Sequence, residues 1–200
     1  MKKLLFILAC ALLVACDNSD YSVTKPASVD LGIRYDRTND VCYAAGEPRR
    51  QNSCRVLWCK MNYGATAPGE TGGYYDWDEA VGLKMGGNWQ LPTESMIAFL
   101  TNNKYFEWQW EDADKSGFGV AGYWVKSLIK GYSGNKIFLP AVGYKEDATL
   151  KNYDVNIYCW SQTLDAEGHP YYIYGYNKNY CRCIGVPRTA ECPIRPVYLK

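Results

Sequence analysis

Apolar positions recur along this chain with two periods, and the change from one to the other divides it. Between residues 76 and 85, Trp77, Ala80, Val81 and Met85 recur at helical spacing, with Asp78 and Glu79 at the positive end of the helix dipole. Gly86 and Gly87 are placed to stop that helix. Trp89, Gln90 and Leu91 predict a brief extended segment, after which Thr93 is placed to cap a second helix reaching Leu100, with Met96, Ile97 and Leu100 on one face. Beyond it the apolar runs shorten and are bounded by Gly, Pro, Asn or Asp. Residues 107–110, 123–125, 137–139, 158–160, 171–176 and 194–199 each predict a strand of one sheet. Helices first and strands after predict an α+β chain rather than a parallel α/β sheet.

The chain opens differently. Lys2 and Lys3 precede an apolar run from Leu4 to Ala15, too short to span a bilayer, so residues 1–15 predict a secretory signal peptide and not a membrane helix. The run ends Leu13-Val14-Ala15-Cys16, which resembles a bacterial lipobox; that resemblance implies diacylation of the Cys16 thiol, cleavage before it and a membrane partner through the N-terminal lipid. An ordinary signal peptide cut after Ala15 is the alternative. Residues 16–28 then read as a polar tether and residues 29–200 as one folded domain. Asp17 beside Cys16 resembles the inner-membrane retention signal of enterobacterial lipoproteins, a rule that fails in other lineages, so localisation is read as the cell envelope, with the outer membrane or cell surface favoured.

Two blocks, Gly86-Gly-Asn-Trp-Gln-Leu-Pro-Thr93 and Phe138-Leu-Pro-Ala-Val-Gly-Tyr144, place Leu-Pro where an extended segment must stop, because proline fixes φ and lacks the N–H of a sheet ladder. The Val29-Asp-Leu-Gly32 opening, Leu57-Trp-Cys59, the two Leu-Pro blocks, Tyr158-Cys-Trp-Ser161, a Tyr-rich run and Ile194-Arg-Pro-Val197 occur in an order that resembles the DUF1566 and Fibrobacter succinogenes major paralogous (FISUMP) domains over residues 29–197. The resemblance implies a C-type-lectin-like fold, with two short helices packed on small, mostly antiparallel twisted sheets and long loops. The span 34–55 reads as a polar insertion into that pattern, and Trp160-Ser161 continues as Gln162-Thr163 rather than as a Ser-Ser-like pair.

Charge narrows the partners. The 22 Lys and Arg fall to 20 without Lys2 and Lys3, against 21 Asp and Glu, so net charge does not suggest nucleic acid or another polyanion. Aromatic content stands out instead, with 18 Tyr and 7 Trp. The span 151–188 has the composition of a recognition surface, Tyr and Arg as anchors with Asn and Gly for adaptable hydrogen bonds. Its candidate ligand-binding residues are Tyr153, Asn156, Tyr158, Tyr172, Tyr174, Tyr176, Asn177, Tyr180, Arg182 and Arg188. Alternation leaves about half of the tyrosines of 171–176 to pack on the core. Domains with the implied fold include the variable proteins of diversity-generating retroelements, and residues 177–188 resemble such a mutagenised output; aromatic binding loops share that composition for other reasons.

Seven cysteines follow Cys16. Cys42, Cys54, Cys59, Cys159, Cys181, Cys183 and Cys192 read as disulfide candidates in an exported chain, with at least one left over and the connectivity open. Cys54-x4-Cys59 and Cys181-x-Cys183 lack zinc-knuckle spacing, and the calcium-lectin signatures Glu-Pro-Asn and Trp-Asn-Asp are absent, so no metal or cofactor is expected. The implied fold is shared with formylglycine-generating oxidases, but no matching motif flanks Cys181 or Cys183, and His169, near Asp165 and Glu167 in a Gly-Pro loop, reads as a solvated residue. The expectation is a non-enzymatic protein that binds an extracellular protein or glycan, with an assembly subunit of a surface appendage as the alternative and an oxidase third. Ligand identity and oligomeric state stay open.

Overall fold

The computed structural model describes residues 27–177 and 179–200. The predicted signal peptide, Cys16 and residues 17–26 of the tether lie outside the described residues. Three strands come first: β1 (Ser28–Asp36), β2 (Val41–Ala44) and β3 (Ser53–Cys59). They are followed by α1 (Trp77–Gly82), β4 (Trp89–Gln90) and α2 (Glu94–Leu100). Then come β5 (Phe106–Glu111), α3 (Ala113–Ser116), β6 (Gly122–Ser127), β7 (Lys136–Pro140), β8 (Tyr144–Glu146) and β9 (Thr149–Lys151). β10 (Ile157–Leu164), β11 (Pro170–Tyr176), β12 (Asn179–Cys183) and β13 (Val197–Leu199) complete the chain.

The architecture is α+β and dominated by small antiparallel sheets. The order β2-β1-β3-β13-β4 makes one five-stranded sheet; β5-β6-β7 and β10-β11-β12 make two three-stranded sheets, and β8-β9 is a hairpin. The strands predicted as one sheet are thus divided among separate ones. Prolines account for part of that division: Pro140 ends β7, and Pro193 and Pro196 delay the last strand, predicted from residue 194, until Val197.

Strands also precede the helices, against the predicted order. The span 34–55, read as a polar insertion, is the β1–β2–β3 meander. Leu31, Ile33 and Tyr35 of β1 and Val56 and Trp58 of β3 are buried, while Arg34 and Arg55 alternate with them on the opposite face, so the polar residues are one side of a half-buried sheet. Register shifts between Asp30 and Ile33, a bulge made by Gly32 at φ +83°.

Helix α1 starts as predicted: Asp76 accepts from the Glu79 N–H at 2.8 Å, and Glu79 accepts in return from the Asp76 N–H, a capping box. It ends at Gly82 rather than Gly86, because Leu83 turns extended; Val81 is left exposed, and Met85 reaches the core from a loop. α2 matches expectation, with Thr93 Oγ1 accepting from the Met96 N–H and Met96, Ile97 and Leu100 buried.

The main core forms where α2, β1, β3, β6, β7 and one face of β10–β11 converge, through Ile33, Trp58, Ile97, Tyr123, Leu139, Ile157 and Ile173 among others. A second cluster joins Trp77, Ala80, Leu91, Trp160, Tyr172, Cys192 and Ile194. Arg195, fully buried, donates to the carbonyls of Cys59 (3.2 Å) and Phe138 (3.0 Å), tying the chain's last segment to β3 and β7. A buried guanidinium is tolerable only with such partners. In the second Leu-Pro block, Gly143 has φ +66° and a Cβ there would lie 2.0 Å from the Lys151 carbonyl oxygen, so this turn requires glycine.

Candidate binding surfaces

The tyrosine-rich segment becomes the β10-β11-β12 sheet, and its register sorts the predicted site residues by face. Tyr158 pairs with Tyr174, Trp160 with Tyr172, Tyr174 with Cys181 and Tyr172 with Cys183, which places all six on one face. Tyr158 and Tyr172 stack at 5.7 Å and Tyr174 meets Tyr158 edge-on at 5.5 Å. Trp160, fully buried, closes the row against Tyr172. Burial pushes the Tyr158 hydroxyl up to about 12. Tyr172 is raised too, first by burial and then by its hydrogen bond with the Cys183 thiol. Asn156, also buried, donates to Tyr174 Oη at 2.7 Å. These four predicted residues, Asn156, Tyr158, Tyr172 and Tyr174, are a packed slab.

The opposite face meets the main core. Gly175 pairs with Tyr180 and Ile173 with Arg182. Tyr180 stacks on Trp108 at 4.5 Å with the rings 6° from parallel. Arg182 pairs with Glu94 of α2, with its guanidinium 5.2 Å from the Tyr171 ring. Arg188 lies elsewhere, paired with Asp78 and 4.7 Å from the Trp77 ring on α1. The ten predicted residues therefore do not form one surface.

Arg182 and Arg188 stay exposed within these ion pairs, whereas Tyr153, Tyr176 and Asn177 stay exposed on the loops that enter β10 and leave β11. Ile157–Gly175 is the last rung of the β10–β11 ladder, and Val155 and Tyr176 run beyond it. Tyr153, Val155 and Tyr176 are each more than two-fifths exposed, and Asn177, at φ +26°, begins the turn into β12 beside them. The loop entering β10 and the turn leaving β11 thus present tyrosine, valine and asparagine on a rigid base. β12 is the edge strand of this sheet and carries Cys181 exposed on it.

All seven described cysteines are free thiols in the structure, without the disulfides expected of an exported chain. Geometry explains part of this. Cys42 and Cys54 both register with Tyr35, from β2 and β3 on opposite sides of β1, so they lie two strand spacings apart, about 10 Å and beyond disulfide reach. Cys59, Cys159 and Cys192 are buried, and desolvation raises each thiol, Cys159 to about 11. Cys181 and Cys183 share a face of β12, and Cys183 Sγ donates to the Ile184 carbonyl at 3.4 Å.

Asp165, Glu167 and His169 bring a ligand atom each within 4.8 Å of one another. Asp165 accepts from the Glu167 and His169 N–H groups and contacts His169 Nδ1, so the trio closes the exposed β10–β11 turn.

Sequence reasoning missed a second surface. A cleft of about 470 Å³ on the β1–β2–β3 sheet is lined by Arg34, Arg49, Arg55, Lys130 and Lys200, with Tyr43 and Tyr132 in its walls. A signal existed: Arg34, Arg37, Arg49, Arg50 and Arg55 fall within 22 residues. Near-neutral net charge hid it.

Comparisons of the chain with protein-family models, curated proteins and solved structures find no match.

Proposed function

We propose that this chain is an exported, lipid-anchored bacterial protein of the cell envelope whose C-type-lectin-like domain binds an extracellular protein or glycan without catalysis. The order of motifs from Val29 to Val197 supports the lectin-like assignment, and the lipobox-like Leu13-Val-Ala-Cys16 supports the anchor. The observation that carries the binding reading is the exposed group Tyr153, Val155, Tyr176 and Asn177 on loops held by the packed tyrosine slab. Stiff side chains on a rigid base bind at low entropic cost, since little has to be ordered on contact. The ligand-binding role read from the sequence for ten residues contracts to Tyr153, Tyr176 and Asn177.

The test is a glycan-array and surface-protein screen with the full-length protein in detergent, beside a Tyr153→Ala/Tyr176→Ala variant confirmed folded. A ligand held by the first and weakened about tenfold or more in the second is the expected result. A ligand bound equally by both would overturn this surface. One observation favours an assembly subunit instead: β12 is an edge strand, open to pairing with another chain. Obligate oligomers on gel filtration, with no soluble ligand found, would establish that reading in its place.

A further inference from the structure

The basic cleft on the β1–β2–β3 sheet is a built site and not a scatter of surface charge. It begins with the Val29-Asp-Leu-Gly32 opening. Gly32 makes the bulge, and the Tyr132 ring lies against it so closely that a Cβ at Gly32 would sit 2.8 Å from Tyr132 Cδ2. Tyr132 Oη then accepts from Arg34 Nη2 at 2.6 Å. Asp30 Oδ1 and the Ile33 carbonyl accept from Arg34 Nη1 at 3.4 and 3.0 Å, while Asp30 itself also accepts from the Gly32 N–H. Arg34 is thereby held in one orientation with its Nε–H and one Nη2–H unclaimed among the described residues. Arg55, beside it, reaches Asp30 at 3.8 Å.

Around this fixed guanidinium, the side chains of Arg49, Lys130 and Lys200 line the cleft without ion-pair partners among the described residues. Glu47 is the acid in the lining, and it accepts from Tyr105. With Asp30, Glu47 and the Lys200 α-carboxylate set against five cations, the cleft retains a surplus of about two positive charges. Like charges crowded without counter-charges cost stability, and an anion drawn between them recovers it.

We propose that this cleft binds an acidic glycan, seating a carboxylate or sulfate of a sugar ring on Arg34 and Arg55 with Arg49, Lys130 and Lys200 around it. Guanidinium pairs recognise planar or tetrahedral oxyanions through paired donors, which ammonium groups supplement as point charges. The concave volume suits a ring-sized group better than a flat membrane face. Nucleic acid would need a longer basic track with exposed aromatic platforms, whereas Tyr43 is buried, with Arg50 over its ring at 5.0 Å. This site is independent of the tyrosine surface at the β10–β11 end, and its failure would leave that reading untouched.

The experiment measures binding of the full-length protein to oligogalacturonate and to heparin oligosaccharides, with neutral dextran and single-stranded DNA as comparison probes. Binding to the acidic glycans that weakens steeply with added salt is expected, with about tenfold or greater loss in Arg49→Ala/Lys130→Ala. Both residues are exposed and without side-chain partners among the described residues, so that variant folds normally. Arg34→Lys keeps the charge but loses the fork and should weaken binding several-fold, while Tyr176→Ala leaves it unchanged. Acidic glycan bound no better than dextran, equal binding by the double variant, or tighter binding of DNA would each overturn the proposal.

Discussion

The two ends of this chain trade the roles that their compositions advertise. The C-terminal tyrosines have the residues of a recognition surface, yet Tyr158, Tyr172 and Tyr174 stack into a slab and Tyr180 locks onto Trp108, leaving Tyr153 and Tyr176 outside. The N-terminal span 34–55 reads as a polar insertion, yet it folds into strands that carry a preorganised arginine and a basic cleft. The difference is one of partners. A tyrosine has enough apolar area to be taken up by any neighbouring sheet, whereas clustered arginines with three nearby carboxylates cannot all be neutralised and stay at the surface.

The largest expected effect separates inside from outside within the tyrosine sheet. Tyr172→Ala should cost about 3 kcal/mol or more in denaturant unfolding, as for other buried rings, and Tyr176→Ala less than about 0.5 kcal/mol. Equal costs would break the distinction between slab and surface. Alkaline titration comes next and strikes both regions. Burial holds Tyr35 and Cys42 in the N-terminal sheet at about 12, and Tyr158 and Cys159 in the C-terminal sheet at about 12 and about 11. Each is raised above its unfolded value, so its contribution is full below the unfolded pKa and fades as pH climbs through the folded one. Unfolding monitored from pH 9 to 12 should therefore show stability falling with pH, and a flat profile would contradict the buried hydroxyls and thiols. The smallest effect sharpens the comparison from the other side. Gly32→Ala, strained at φ +83° and pressed on Tyr132, should cost about 1–2 kcal/mol and loosen Arg34, weakening acidic-glycan binding while any ligand held by Tyr176 is unaffected.

Short-range signals were legible where one residue type has one use. Thr93 announces a helix start because its side chain caps free N–H groups, and it does so in the structure; Asp76, not read as a cap from the sequence, does the same for α1. Six predicted strands exist, since alternation and bounding prolines and glycines act locally. The β8–β9 hairpin was hidden because its turn puts Asp147 and Ala148 at positive φ, which those residues seldom advertise. The β1–β2–β3 meander was hidden because its outward face is charged and period two was obscured by the bulge at Gly32. The candidate sites were less legible than the elements, for a face is shared by residues that register brings together, not by neighbours in sequence.

The sequence by itself determined the helix caps, the strand segments, the stops at Leu-Pro and the aromatic supply for two cores. These depend on propensity, proline geometry and burial of apolar area, which operate within a few residues. Tertiary structure alone decided which tyrosines are walls and which are exposed, that Cys42 and Cys54 flank one strand beyond each other's reach, and that arginines spread over 34–55 converge with Lys130 and Lys200. Strand pairing sets those outcomes, and charge can concentrate in a chain with no net excess because the fold chooses which cations leave their counter-ions behind.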